Sequence, residues 1–268
     1  MFREITLGQY YPADSPIHRL DPRVKLFGTF VYILSLFLFR DVVGFAVVTV
    51  FLVCVIRSSK VPFSYMVKGL KAILVLMVVT ALFNLFLTPG DRVLFSYGIL
   101  KITLEGVKNA GFMLVRLIYL IVGTSVMTLT TTPNQLTDGL EKALMPLSKV
   151  KVPVHSIAMI MSIALRFIPI LIEETDIIMK AQTARGADFE NGNLVKRTKA
   201  MVPLLVPLFV SAFRRADDLA MAMEARCYMG GAGRTKMKPL RYRKEDFKGY
   251  LVLAVYFGGI VLWRVFGG

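Results

Sequence analysis

The sequence predicts an all-α polytopic membrane protein, with about five transmembrane helices and a long helical cytoplasmic coupling domain. Three observations carry that expectation. Apolar residues make up 55% of the 268, and the stretches 24–39, 42–56, 72–88, 107–128 and 250–266 are nearly free of charge, as segments embedded in hydrocarbon must be. The excess of basic residues, a net +15, is not spread evenly: Lys and Arg gather in 19–25, 57–71 and 129–248, while the connections near 40 and 89–106 hold few. That asymmetry is the positive-inside pattern, which puts the N-terminus in the cytoplasm and the C-terminus outside after five crossings. It also explains the charge through anionic headgroups, without nucleic acid. Finally, 129–247 contains two long helical patterns whose first halves are apolar and whose second halves are charged.

Taken in order, residues 1–23 are a polar lead ending in SPIHRLDPRVKL, where Pro16 and Pro22 break helix and Asp21 can neutralise Arg19 or Arg23. With no apolar signal core in the lead, the first span is expected to act as its own insertion signal. Arg40-Asp41 makes a tight external corner after that span. RSSKVPFSYMVKGLK (57–71) mixes basic and aromatic residues around Pro62, as an interfacial elbow does. The third span carries Asn84, expected to bond between helices. The loop 89–106 begins Pro89-Gly90-Asp91, and VLFSYGILKIT alternates about Gly98 as a hairpin. Arg116 lies in the middle of the fourth span, a position that calls for a partner facing the bundle or for a pathway. Thr132-Pro133-Asn134-Gln135 has the spacing of a capping box and opens the cytoplasmic domain. The domains are therefore expected at 1–128, 129–247 and 248–268, with Trp263 at the last interface.

VPVHSIAMIMSIALRFIPILI (152–172) is apolar enough for a span. Arg166 and Pro169 interrupt it, and the helix runs on through Glu173, Glu174, Asp176 and Lys180 to Arg185. A second helix, from about 194 to 229, repeats the design. Asp188-Phe189-Glu190-Asn191-Gly192-Asn193 forms the turn between them. A seven-span alternative would place that turn outside beside Lys196, Arg197 and Lys199, against the charge rule.

The chemistry of most enzymes is missing. His18 and His155 stand in no metal-binding spacing, Cys54 and Cys227 make no disulfide framework, and GGAGRTK lacks the form of a phosphate-binding loop. The acid pairs Glu173-Glu174 and Asp217-Asp218 are expected to be solvated or paired within their own helices. No catalytic residue, metal or cofactor is expected in this chain.

The distinctive feature is a repeated helix end. Aligned at their arginines, KAQTARGAD and MAMEARCYM pair Asp176 with Asp217, Ala181 with Ala222, and Ala184 with Ala225. At 3.6 residues per turn Glu174, Ile177, Ala181 and Arg185 share a face, as do Arg215, Asp218, Ala222 and Arg226. Each face ends in a guanidinium at the negative end of the helix dipole, with a small residue one turn before it that lets another surface approach. Gly186 and the Gly230-Gly231 pair are expected to supply the left-handed residue that closes each helix. Met159, Met161, Met179, Met221 and Met223 offer adaptable apolar contacts.

The lead GQYYPADSPIHRLDPRVKL and the motifs Ala184-Arg185-Gly186 and Ala225-Arg226-Cys227 resemble the transmembrane coupling component (T component) of energy-coupling factor transporters, a branch of the ATP-binding cassette importers, over essentially the full length. The second motif departs from the family pattern in having Cys227 where glycine stands. The resemblance implies a multi-pass protein of a bacterial or archaeal plasma membrane. It implies two cytoplasmic ABC ATPase subunits docked at Ala184, Arg185, Gly186, Ala225 and Arg226, with ATP bound by those partners. It further implies a small membrane-embedded substrate-binding subunit, for a vitamin or other micronutrient, with Ala181, Ala222, Met179 and Met221 as partner-docking residues. The competing expectation is a stand-alone secondary transporter or channel lined by Arg116 and Asn84.

Overall fold

A computed structural model of the chain describes residues 9–39, 41–89, 93–97, 100–187, 189, 194–230, 237 and 239–266. Among them the helices are α1 (Pro16–Arg19), α2 (Pro22–Leu38), α3 (Val42–Ser59), α4 (Phe63–Leu87), α5 (Leu104–Thr130), α6 (Pro133–Leu144), α7 (Val154–Ala184), α8 (Leu194–Ala225) and α9 (Lys244–Phe266). A short 3₁₀ helix, Met145–Val150, follows α6. Strands β1 (Val93–Tyr97) and β2 (Leu100–Thr103) pair antiparallel between α4 and α5, with Tyr97 opposite Leu100, so the alternation read there is a hairpin. Gly98, Gly90 and Asp91 lie outside the described residues, as do Arg40, most of the 188–193 turn and Gly231.

The contacts divide the chain into two compact units, one holding α1 to α5 and α9, the other α7 and α8. In the first, Tyr32 and Leu36 of α2, Val48 and Leu52 of α3, Met66 of α4, Val122 and Val126 of α5, and Tyr256 and Ile260 of α9 close on one another. Several polar groups inside this bundle find partners within it, as a low-dielectric interior demands. The Tyr32 hydroxyl donates to the Tyr119 carbonyl at 2.9 Å, and Ser35 Oγ lies 2.7 Å from the Tyr256 hydroxyl. Among the described residues, helices α3, α5, α7 and α9 are each long and apolar enough to cross a membrane, and the two arms of α4, bent by 62° between Phe63–Lys71 and Ile73–Leu87, make a fifth together. This bend lies at the far edge of the predicted elbow (57–71), while Pro62 itself falls in the break between α3 and α4. Lys60, at φ 55°, closes α3 just before it. Helix α2, with 17 residues, is about 26 Å long at 1.5 Å per residue, close to the thickness of a hydrocarbon core.

Both ends of this bundle are tied by polar side chains. Ser15 caps α1 and Asp21 caps α2. Of the two arginines open to it, Asp21 takes Arg23, through two contacts of 3.0 Å, while Arg19 pairs with the exposed Asp14. Burial holds the His18 pKa below its ordinary value, and the ring sits between Ser15 Oγ at 2.7 Å and the Tyr11 carbonyl at 3.0 Å. The Tyr11 N–H donates to the Leu129 carbonyl at the end of α5. The buried Asp246 accepts from the N–H groups of Asp21 at 2.7 Å and Arg243 at 2.6 Å, which fastens the lead to the start of α9.

At the opposite end, two arginines converge on the last carbonyls of α2. Arg116 Nη2 donates to Phe39 O at 2.7 Å and stands 5.6 and 5.9 Å from the rings of Phe37 and Phe45. Arg264 Nη1 donates to Leu38 O at 2.8 Å. A mid-span arginine is thus spent on a helix C-terminus, where the dipole favours it. Asn84 departs from expectation. Its amide donates to Thr80 O, 2.9 Å away and one turn back in the same helix, because an i−4 carbonyl is always within reach of a short amide.

Candidate functional site: two arginine-tipped helix ends

Helices α7 and α8 are 31 and 32 residues long. They interrupt their apolar runs with Pro169 in one and Pro203 and Pro207 in the other. The capping box before α6 forms as the spacing predicts, with Gln135 N–H to Thr132 Oγ1 at 3.3 Å and Thr132 N–H to Gln135 Oε1 at 3.2 Å. From there the chain leads through the 3₁₀ turn into α7.

The two helix ends share one geometry. In α7, Arg185 is the C-cap, Gly186 N–H donates to Thr183 O at 2.9 Å, and Ala187 N–H donates to Gln182 O at 3.0 Å, with Gly186 at φ 92°. In α8, Cys227 N–H donates to Glu224 O at 2.8 Å and Tyr228 N–H to Met223 O at 3.0 Å, with Cys227 at φ 54°. Both are Schellman closures, the double bond pattern that satisfies the last carbonyls of a helix. The left-handed residue that closes α8 is therefore Cys227, directly after the arginine, and not Gly230-Gly231. The hydrogen-bond pattern fixes which position must turn left-handed, and it accepts cysteine there at a conformational cost. Gly230, at φ 92°, makes a separate turn three residues on.

Ala181, Ala184, Arg185, Gly186, Ala222, Ala225 and Arg226 are all exposed. Neither guanidinium makes a hydrogen bond or ion pair among the described residues, so both remain available to an outside acceptor. Met221 is 61% exposed and Met161 44%, while Met179 and Met223 are half-buried. Met159 is engaged, its sulfur accepting from the Tyr228 hydroxyl at 3.0 Å.

Sequence reasoning missed how the two helices meet. Glu174 takes Arg215 Nη2 at 2.9 Å and also accepts from the Ser211 hydroxyl, so its carboxylate bridges the helices instead of pairing along one of them. The further contact between Met159 and Tyr228 runs the other way along α8, so the pair is antiparallel. The separation between Glu174 and Arg215 is 41 positions, the same offset that carries Arg185 onto Arg226. An antiparallel pair joined at repeat-equivalent residues has an approximate local twofold axis through the join. Each arginine then stands eleven residues beyond the join along its own helix, roughly 16 Å at 1.5 Å per residue, in opposite directions. A signal for this was present: the repeat sets an acid at 174 opposite a base at 215, the opposite charges that equivalent positions need if they are to pair.

Residues 13–237 match the family model described as CbiQ, cobalt transport protein. The chain is 53% identical to the energy-coupling factor transporter transmembrane protein EcfT of Clostridium kluyveri, over the whole of both chains. It is 52% identical to EcfT of Thermosediminibacter oceani over 98% of each chain, and 48% identical to EcfT of Bacillus subtilis over 92% of this chain and 93% of that one.

Proposed function

Because the chain belongs to the family of energy-coupling factor transporter transmembrane proteins, we propose that it couples two partner ATPases to a small substrate-binding membrane subunit. The family membership makes it a multi-pass transporter component of the plasma membrane. In the proposed division of labour, one cytoplasmic ABC ATPase docks at Arg185 and a second at Arg226, and the chain itself hydrolyses nothing. Motion driven by ATP passes through α7 and α8 to the substrate-binding subunit, which carries a vitamin or other micronutrient.

The observation that supports this most directly is the pair of equivalent closures, each tipped by an exposed arginine and related by the local twofold about Glu174 and Arg215. Two like ATPases that close on each other symmetrically need two like handles on opposite sides of a pivot. A guanidinium at a helix C-terminus supplies a planar fork for carboxylates and carbonyl oxygens, and the neighbouring alanines admit the partner's backbone. The bond of Arg116 to the Phe39 carbonyl and of Asn84 within α4 favours this reading over a stand-alone transporter lined by the two.

The test reverses one charge at a time. Arg185→Glu and Arg226→Glu are each expected to insert normally in the membrane but to lose co-purification of one ATPase and most substrate uptake, and the double variant to lose both ATPases. Full ATPase recovery together with normal uptake in the double variant would overturn the docking assignment.

A further inference from the structure

The transmembrane bundle contains a cavity of about 660 Å³ walled by α2, α3, α5 and α9 with the end of the lead. Its size falls in the range of roughly 300–1,000 Å³ typical of small-molecule sites. The lining is sorted by depth. Tyr32, Phe51, Val126 and Val252 make an apolar slot, while Lys25, Ser58, Thr130, Glu245 and Lys248 are gathered at one end. That end is where α2 and α9 begin and where α3 and α5 finish, the cytoplasmic side by the charge rule. Lys25, Tyr32 and Val126 are buried, whereas Cys54, Ser58, Glu245 and Lys248 are exposed along the opening.

Lys25 is the informative residue. It is only 7% exposed, and its Nζ donates to two neutral acceptors, His18 O at 3.2 Å and Thr130 O at 2.8 Å. Among the described residues no carboxylate forms an ion pair with it. Asp21 and Asp246 are near enough to be felt, but Asp21 is taken by Arg23 and Asp246 by two backbone N–H groups. A buried ammonium without an anion is costly. Lys248 adds a second cation at the rim, and Glu245, one turn before it, leaves the mouth with a net charge of +1.

We propose that this cavity holds one anionic phospholipid of the inner leaflet, with an acyl chain in the slot and the headgroup phosphate against Lys25 and Lys248. Apolar walls, a cationic mouth and the level of the mouth match an amphiphile that the surrounding membrane supplies. An anion there gives Lys25 the partner it lacks. A neutral lipid or metabolite would satisfy the walls but not the lysine.

The full-length protein is reconstituted in nanodiscs of equal phosphatidylglycerol and phosphatidylcholine, released, and weighed by native mass spectrometry. One phosphatidylglycerol is expected to survive, favoured about fivefold over phosphatidylcholine, the factor that follows from roughly 1 kcal/mol per basic residue. Cys54→Trp fills the slot from its exposed wall and is expected to abolish retention. Lys248→Gln alters only the rim and is expected to cut the preference by about half or more. A protein that keeps no lipid, that keeps both lipids equally, or whose preference is unmoved by Lys248→Gln overturns the proposal.

Discussion

The helix ends show what one residue is asked to do in each copy of the motif. Gly186 reaches φ 92° without a Cβ penalty, while Cys227 occupies the same closure at φ 54° with a side chain. The left-handed conformation costs an L-residue roughly 1–2 kcal/mol, and glycine returns about 0.4–1 kcal/mol of that through the freedom it gives the unfolded chain. Cys227→Gly is therefore expected to stabilise the protein by roughly 0.5 kcal/mol net. Gly186→Ala, with open space around its Cβ, is expected to destabilise by a similar amount, since no contact opposes the methyl and the same two effects apply in reverse. Thermal unfolding in detergent checks both, and the two variants must move the midpoint in opposite directions. Since Cys227→Gly touches neither arginine nor any other docking residue, ATPase docking should survive it. A docking loss in Cys227→Gly would instead make the thiol part of the contact surface.

Between the two helices the decisive contact is the bridge from Glu174 to Arg215, with side chains 20% and 38% exposed. Partial exposure keeps its direct contribution near 1 kcal/mol or below, but it also sets where the helices cross. Glu174→Arg alone puts two guanidinium groups together and is expected to splay the pair, lowering uptake several-fold. The exchange of both residues, Glu174→Arg with Arg215→Glu, is expected to restore it, because equivalent positions can trade charges. Failure of the exchange, with both single variants inactive, would mean that Ser211 or the partner reads these side chains separately. Much at this scale was legible in the chain. The capping box at Thr132, the hairpin ending at Thr103 and the breaks at Pro62 follow from local rules that depend on a few neighbouring residues. The partners of Glu174, Asn84 and Arg116 were not legible, because a long polar side chain chooses among several acceptors by tertiary geometry. Cys227 was hidden for a related reason: composition favours glycine for a left-handed turn, but the hydrogen-bond frame decides which position must make it.

For the whole molecule, α7 carries the question of how many times the chain crosses the membrane. By length and composition it could span, and little of its apolar run is buried within the chain. Among the described residues α8 has no apolar run long enough to span. One crossing by α7 without a return through α8 would carry both Arg185 and Arg226 to the outer side of the membrane, where cytoplasmic ATPases could reach neither. The exposed apolar surface of α7 is thus expected to be covered from the side, by lipid interface or by the substrate-binding subunit, with its charged half still in the cytoplasm. Ala187, two residues beyond Arg185, reports on this. In a chain whose native cysteines Cys54 and Cys227 are replaced by serine, Ala187→Cys is expected to resist a membrane-impermeant thiol reagent in intact cells and to react once the cells are opened. Reaction in intact cells would place the end of α7 and Arg185 outside, where that handle could not serve a cytoplasmic ATPase.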